Sequence, residues 1–296
     1  MRILVTGATG GVGSIVAEEL RDGGHEVVGL ARSDAAEATL RARGVGVQRG
    51  DVADTGALAR GARASDGVIH CAFGHDFSRY MEAGETDLAA VKALLGALAG
   101  TGKPLVVTSG ITAGVVGRPA LESDRGQIEG FLAVRGRPEE ATLAGAKEGV
   151  RAMVVRLPPC VHDVNGQGLA SQLVARARET GVSAYVGEGA NRWSAVHRRD
   201  AARLYRLALE RGTPGQRFHA VGEEGVNLKA IAEAIGAALG LPVRSVPPQD
   251  AVAALGWVGM AAAGDTLASS AATQASLGWR PTGHGLIEGL SGIYLH

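Results

Sequence analysis

The sequence predicts a doubly wound α/β fold, a parallel sheet covered by helices on both faces, with a smaller mixed lobe in its second half. Three observations predict it. Short apolar runs rich in β-branched residues alternate with longer Ala/Leu-rich runs of helical spacing. A glycine cluster directly follows the first apolar run, and the alternation loosens after Pro158. Strands that lack polar alternation must be buried on both faces, and right-handed crossovers then carry the chain over both sides of the sheet.

In order, R-I-L-V-T (2–6) reads as a buried strand and V-G-S-I-V-A-E-E-L-R (12–21) as a helix. E-V-V-G-L-A (26–31), V-G-V-Q-R (45–49), V-I-H-C-A (68–72), P-L-V-V-T-S (104–109) and M-V-V-R-L (153–157) continue the strands. Helices fall near 54–63, 86–99 and 138–148, the last with Pro138 suited to its first turn. In the second half, 169–179, 200–211 and 227–240 read as helices, with Asp200 and Asn227 as N-caps and Gly240 near a C-terminus. Residues 216–221 read as a strand.

The chain has 296 residues, 46% of them hydrophobic, enough for one large core with an appended lobe. Its net charge of +0 argues against nucleic acid as a partner. Cys71 and Cys160 are too few for a disulfide framework and read as buried thiols of a reducing compartment. No run reaches the roughly 18 apolar residues of a membrane span, and the N-terminus does not read as a signal peptide. The expectation is a cytoplasmic protein, monomeric or homodimeric, acting on a small molecule. The eight histidines and two cysteines show no metal-ligand spacing.

T-G-A-T-G-G-V-G (6–13) lies between the first strand and the first helix. In that setting Gly7 makes a tight turn, Gly10 lets the backbone approach a pyrophosphate, and Gly13 allows close helix–strand packing. Thr9, Gly11 and Val12 complete the loop, whose following helix points free N–H groups at the phosphates. The second strand ends in G-L-A-R-S (29–33), where an acidic residue would bind ribose hydroxyls. Arg32 there suits a 2′-phosphate, so the expected cofactor is NADP(H).

The spacing of Gly7, Gly10 and Gly13 resembles short-chain dehydrogenases/reductases, and later landmarks resemble the extended branch that contains nucleotide-sugar epimerases and dehydratases. The resemblance implies that 1–165 form a dinucleotide-binding Rossmann domain to which 190–221 return, with 166–189 and 222–296 as the substrate lobe. G-D-V (50–52) implies adenine contacts from Asp51 and Val52. H-C-A-F (70–73) implies cofactor contacts from Cys71, Ala72 and Phe73. T-S-G-I-T-A-G (108–114) places Ser109 at the catalytic Ser/Thr. R-L-P-P-C-V-H (156–162) resembles the loop beside the nicotinamide, implicating Pro158, Pro159 and Val161.

The family's Tyr-x-x-x-Lys pair is missing. Its slot reads R-G-R-P-E, with Arg135 and Glu139 at the two positions, and no other tyrosine has a lysine four residues on. Arginine is a poor acid, with a pKa above about 12, but its charge and N–H groups suit a developing oxyanion. Glu139 is expected to accept from ribose hydroxyls or to steady Arg135 across a helical turn. The same glutamate, with Glu140, also suits the start of a helix. A replacement acid is sought among His162, Tyr80, His75 and His197, with His162 first because of its loop. The expected function is an NADPH-dependent reductase of a small organic substrate. The alternatives are an inactive NADP(H)-binding sensor and, last, a nucleotide-sugar epimerase or dehydratase.

Overall fold

The computed structural model describes residues 1–74, 79–113, 115–163, 166, 168–262 and 264–293. Seven strands form the central sheet: β1 (Arg2–Thr6), β2 (Glu26–Ala31), β3 (Gly46–Arg49), β4 (Gly67–His70), β5 (Pro104–Gly110), β6 (Arg151–Leu157) and β10 (Arg217–His219). All neighbours pair in parallel, in the order β10-β6-β5-β4-β1-β2-β3. The chain runs outward from β1 to β3 and returns to β4 on β1's other side. That reversal opens a crevice at the carboxyl ends of β1 and β4.

Alternate side chains of one strand enter different cores, which is why the strands read as continuous apolar runs. Ile3 and Val5 pack with α1 (Gly11–Asp22) and α7 (Arg198–Arg211). Leu4 packs on the opposite face with α3 (Thr55–Arg63) and α4 (Tyr80–Leu98). Helix α2 (Asp34–Ala42), capped by Ser33, was not among the expected elements. It buries only Leu40, and one apolar residue leaves no readable stripe.

Helix α5 runs Ala133–Ala144, so Pro138 stands inside it and not at its start. The earlier turn persists because Gly136 packs on the preceding loop, where a Cβ would lie 1.9 Å from the Gln127 carbonyl oxygen. Likewise α7 begins at Arg198 with His197 as its cap, whose Nδ1 accepts from the Arg199 N–H. Asp200 is buried in the first turn and binds the N–H groups of Thr282 and Gly283 instead.

The second half builds its own core. β7 (Cys160–His162) and β9 (Arg192–His197) pair in parallel, and β11 (Glu223–Asn227) joins β9 antiparallel. β8 (Ser183–Val186) pairs with β12 (Val243–Val246). Helices α6 (Leu169–Thr180), α8 (Leu228–Leu239), α9 (Ala251–Leu255), α10 (Gly259–Ala262) and α12 (Leu286–Ile293) pack around Trp193, while α11 (Ala271–Leu277) lies against β10. Gly240 ends α8 in the left-handed conformation, φ +65°. Among the described residues no helix is long and apolar enough to cross a membrane.

Candidate cofactor and active site

The glycine loop makes a turn in which the Gly10 N–H donates to the Gly7 carbonyl over 2.8 Å. Gly7 has φ +69°, and a Cβ there would lie 2.8 Å from the Ala72 nitrogen, so two separate constraints require glycine. At Gly13 a Cβ would stand 2.2 Å from the Gly7 oxygen, which keeps α1 tight against the loop. Gly10 is less confined, with that oxygen 3.2 Å from its Cβ position. No side chain caps α1 and its first turn holds no acid, so its free N–H groups and positive dipole end fit an anion.

A cavity of about 360 Å³ opens beside this loop, lined in part by Arg32, Val52, Ala72, Phe73, Thr86 and Asp87. Four of these belong to the residues expected to bind a cofactor. Arg32 is exposed and makes no hydrogen bond or ion pair among the described residues. The Asp51 carboxylate accepts from the Ala53 N–H and shapes the turn before α3. Burial pushes the Cys71 thiol up to about 12, so it packs as a neutral group. Both cysteines are free. Gly11 and Val12 open α1, and Thr9 lies in the turn before it. Pro158 and Val161 are buried in the passage from β6 to β7, and Pro159 offers its carbonyl to the Leu169 N–H.

Arg135 reaches the crevice. Its guanidinium lies 4.2 Å from the ring centre of Phe73, donates from Nη1 to Asp87 over 2.8 Å, and donates from Nη2 to the Thr108 carbonyl over 2.6 Å. Its other N–H groups have no partner among the described residues. The two helices come together because α4 carries Gly84 where a Cβ would lie 2.8 Å from Val134. Ser109 is buried beneath and donates to the Arg135 carbonyl over 3.3 Å. Tyr80 stacks on Phe131 at 4.6 Å and meets Phe73 edge-on at 5.8 Å. Its phenol is pushed up by burial.

Glu139 takes other partners than those expected. It is fully buried, neither touches Arg135 nor lines the cavity, and accepts from Arg156 Nε at 2.9 Å and from Arg217 Nε at 2.8 Å. Arg156 is itself fully buried on β6 and also meets His219 and the Asp124 carbonyl. Four residues turn a helix by about 400°, so both side chains leave nearly the same face, and separate partners draw them apart: Asp87 on α4 for Arg135, and Arg156 on β6 and Arg217 on β10 for Glu139.

His162 lies 3% exposed on β7, its ring 5.7 Å from that of His197 and 5.6 Å from that of His284. Burial, then the two histidines, hold it down to about 4, so it is neutral near pH 7. Among the described residues neither ring nitrogen has a hydrogen-bond partner. His197 is also pushed down by burial. Among the described residues no group of His, Cys, Asp and Glu is placed to share a metal ion. His75 lies outside the described residues.

Three buried polar residues escaped the sequence reading: Thr6, His70 and Asp87. The signal was present for one of them. Asp87 sits on the buried stripe Gly84, Asp87, Ala90, Val91, Leu94, where an acid needs a partner.

Residues 3–221 match the model of the NAD dependent epimerase/dehydratase family. The chain belongs to that family. It is 43% identical, over 98% of both chains, to an uncharacterized protein of Schizosaccharomyces pombe. It is 32% identical to the 2-alkyl-3-oxoalkanoate reductase of Stenotrophomonas maltophilia, over 73% of this chain and 67% of that one. The fold of a dTDP-glucose 4,6-dehydratase from Streptomyces venezuelae, solved with NAD and TYD bound, superposes with a TM-score of 0.79 at 23% identity, covering 99% and 95% of the two chains. The fold is therefore that of the extended short-chain dehydrogenases/reductases. The residues of the glycine loop, the free helix end and the cavity fit a nicotinamide dinucleotide.

Proposed function

We propose that this family member is an NADPH-dependent reductase of a small carbonyl compound, working as a cytoplasmic monomer or homodimer. The observation that carries the reading is one cavity bounded by unpaired Arg32 and by Phe73, the ring that supports Arg135. Arg32 pairs with the 2′-phosphate through its planar fork. The N–H groups at the start of α1 take the pyrophosphate, while Val52 and Ala72 pack against the cofactor. When bound, NADPH supplies hydride for the carbonyl carbon. Arg135 binds the carbonyl oxygen and stabilises the negative charge that grows there. Ser109 supports Arg135 by holding its main chain, and Pro158, Pro159 and Val161 would border the nicotinamide. The proton that completes the alcohol comes from water, since neutral His162 is not charged to donate it.

The identity to a 2-alkyl-3-oxoalkanoate reductase makes 3-oxoacids the first substrates to try. A guanidinium suits both their carboxylate and their ketone oxygen. A second reading, an NADP(H)-binding sensor, is favoured by one observation: Arg135 and Glu139 are both engaged in internal ion pairs. Nucleotide-sugar epimerisation or dehydration ranks third, because the structural likeness at 23% identity concerns the fold. Calorimetry with both reduced cofactors and an NADPH-oxidation assay over 3-oxoacids, ketones and aldehydes separate these readings. Turnover with NADPH supports the reductase. Tight NADPH binding with no oxidation by any carbonyl compound selects the sensor, and equal affinity for NADH and NADPH overturns the cofactor assignment.

A further inference from the structure

An unbroken line of buried polar groups joins the end of β1 to Arg135. Thr6, fully buried, accepts the Ala72 N–H on its hydroxyl at 3.2 Å, and the same hydroxyl lies 2.8 Å from His70 Nδ1. His70 Nε2 lies 3.0 Å from Asp87 Oδ1, and Asp87 Oδ2 takes the 2.8 Å bond from Arg135. His70 and Asp87 are 1% and 2% exposed, so no solvent competes for these contacts. A carboxylate can only accept, which places the imidazole proton on Nε2. In a neutral imidazole Nδ1 then accepts from the Thr6 hydroxyl, whose lone pair takes the Ala72 N–H, and every atom along the line has a partner of the right kind.

We propose that Asp87 is a positioning residue for Arg135, and that His70 and Thr6 hold Asp87 in place. The proposal rests on the reading of Arg135 as the oxygen-binding group. An arginine side chain has many rotamers, so a free Arg135 would sweep many orientations. Asp87 on α4, the Thr108 carbonyl on β5 and the Phe73 ring fix it from three directions. The guanidinium is then preorganised, with its unpaired N–H groups beside the cavity wall that Phe73 and Asp87 form. Ala72, another lining residue, is tied to Thr6, so the same line anchors the cavity wall to β1.

The test uses the full chain with ¹⁵N-labelled histidine and arginine, as wild type, Asp87→Asn and Thr6→Val, with Asp87→Glu as the conservative variant. In wild type, His70 is expected as the Nε2–H tautomer, and the Arg135 side-chain N–H signals as slowly exchanging. Asp87→Asn turns an amide NH₂ towards the imidazole, so His70 should switch to the Nδ1–H tautomer. The Arg135 signals should exchange at least about tenfold faster, and kcat should fall about ten- to a hundredfold with the NADPH dissociation constant within about threefold. Thr6→Val should show smaller changes in the same direction, and Asp87→Glu should recover part of the loss. Unchanged Arg135 exchange and kcat in Asp87→Asn overturn the proposal. So does a kcat loss matched by equal losses in thermal stability and NADPH binding, which marks a merely structural role. If wild type reduces no carbonyl compound, the reductase reading falls while Arg135 exchange still decides whether Asp87 positions it. Should Asp87→Asn not fold, wild-type exchange at Arg135 in Thr6→Val overturns the proposal.

Discussion

A single atom separates glycines that share a motif. At Gly13 a Cβ would lie 2.2 Å from the Gly7 oxygen, against 3.2 Å at Gly10. Gly13→Ala is therefore expected to unfold the loop itself, seen as a lowered melting temperature. Gly10→Val should remain folded and lose NADPH binding by calorimetry, because its branched side chain fills the pyrophosphate's place. Arg32 allows a similarly local prediction. Replacing it by aspartate removes a charge-assisted bond worth about 1.5–3 kcal/mol, so NADPH affinity should fall roughly ten- to a hundredfold. NADH affinity should change little, and the two measured together check the preference. Arg135→Lys swaps a planar fork for a point charge that cannot span Asp87 and the Thr108 carbonyl at once. Turnover is expected to fall about tenfold or more in that variant, as read by steady-state kinetics.

Helix α5 carries two ion pairs of unlike purpose. Arg135 is 13% exposed and meets Asp87 at the crevice, whereas Glu139 and Arg156 are both fully buried. Truncating one partner of a buried pair strands the other charge, at a cost of about 3–5 kcal/mol. Glu139→Ala is therefore expected to lower unfolding free energy by that order in denaturant titration, through the loss of Arg156's partner. A variant that stays as stable as wild type while losing turnover would return Glu139 to the chemistry. The sequence set Arg135 and Glu139 four residues apart, with the helix expected to begin near Pro138. It could not tell that Gly84 draws α4 towards the first, or that β6 and β10 each offer an arginine to the second. Those partners lie up to 78 residues away.

Across the whole molecule, the cluster of His162, His197 and His284 brings together β7, the β9–α7 junction and the segment before α12. His162 is held at about 4 when folded, below its ordinary 6.5. Above pH 6.5 neither state is protonated there and the group contributes nothing to pH dependence. As pH falls below 6.5 the unfolded chain takes up a proton first, so stability declines until about pH 4, by on the order of 3 kcal/mol. His162→Gln should flatten that decline between pH 6.5 and 4, as measured by urea midpoints; an unchanged slope would place the acid sensitivity elsewhere. What the sequence itself determined is local and periodic. Continuous apolar runs set the parallel sheet, the 6–13 glycines set the tight turn into α1, and Arg32, just after β2, set the charge at the cavity's edge. Only the tertiary structure decided which buried polar groups meet: Thr6, His70 and Asp87 behind Arg135, and Glu139 between Arg156 and Arg217. The physical reason is that a buried charge or imidazole must find its partner wherever packing brings one, and sequence spacing records nothing of that distance.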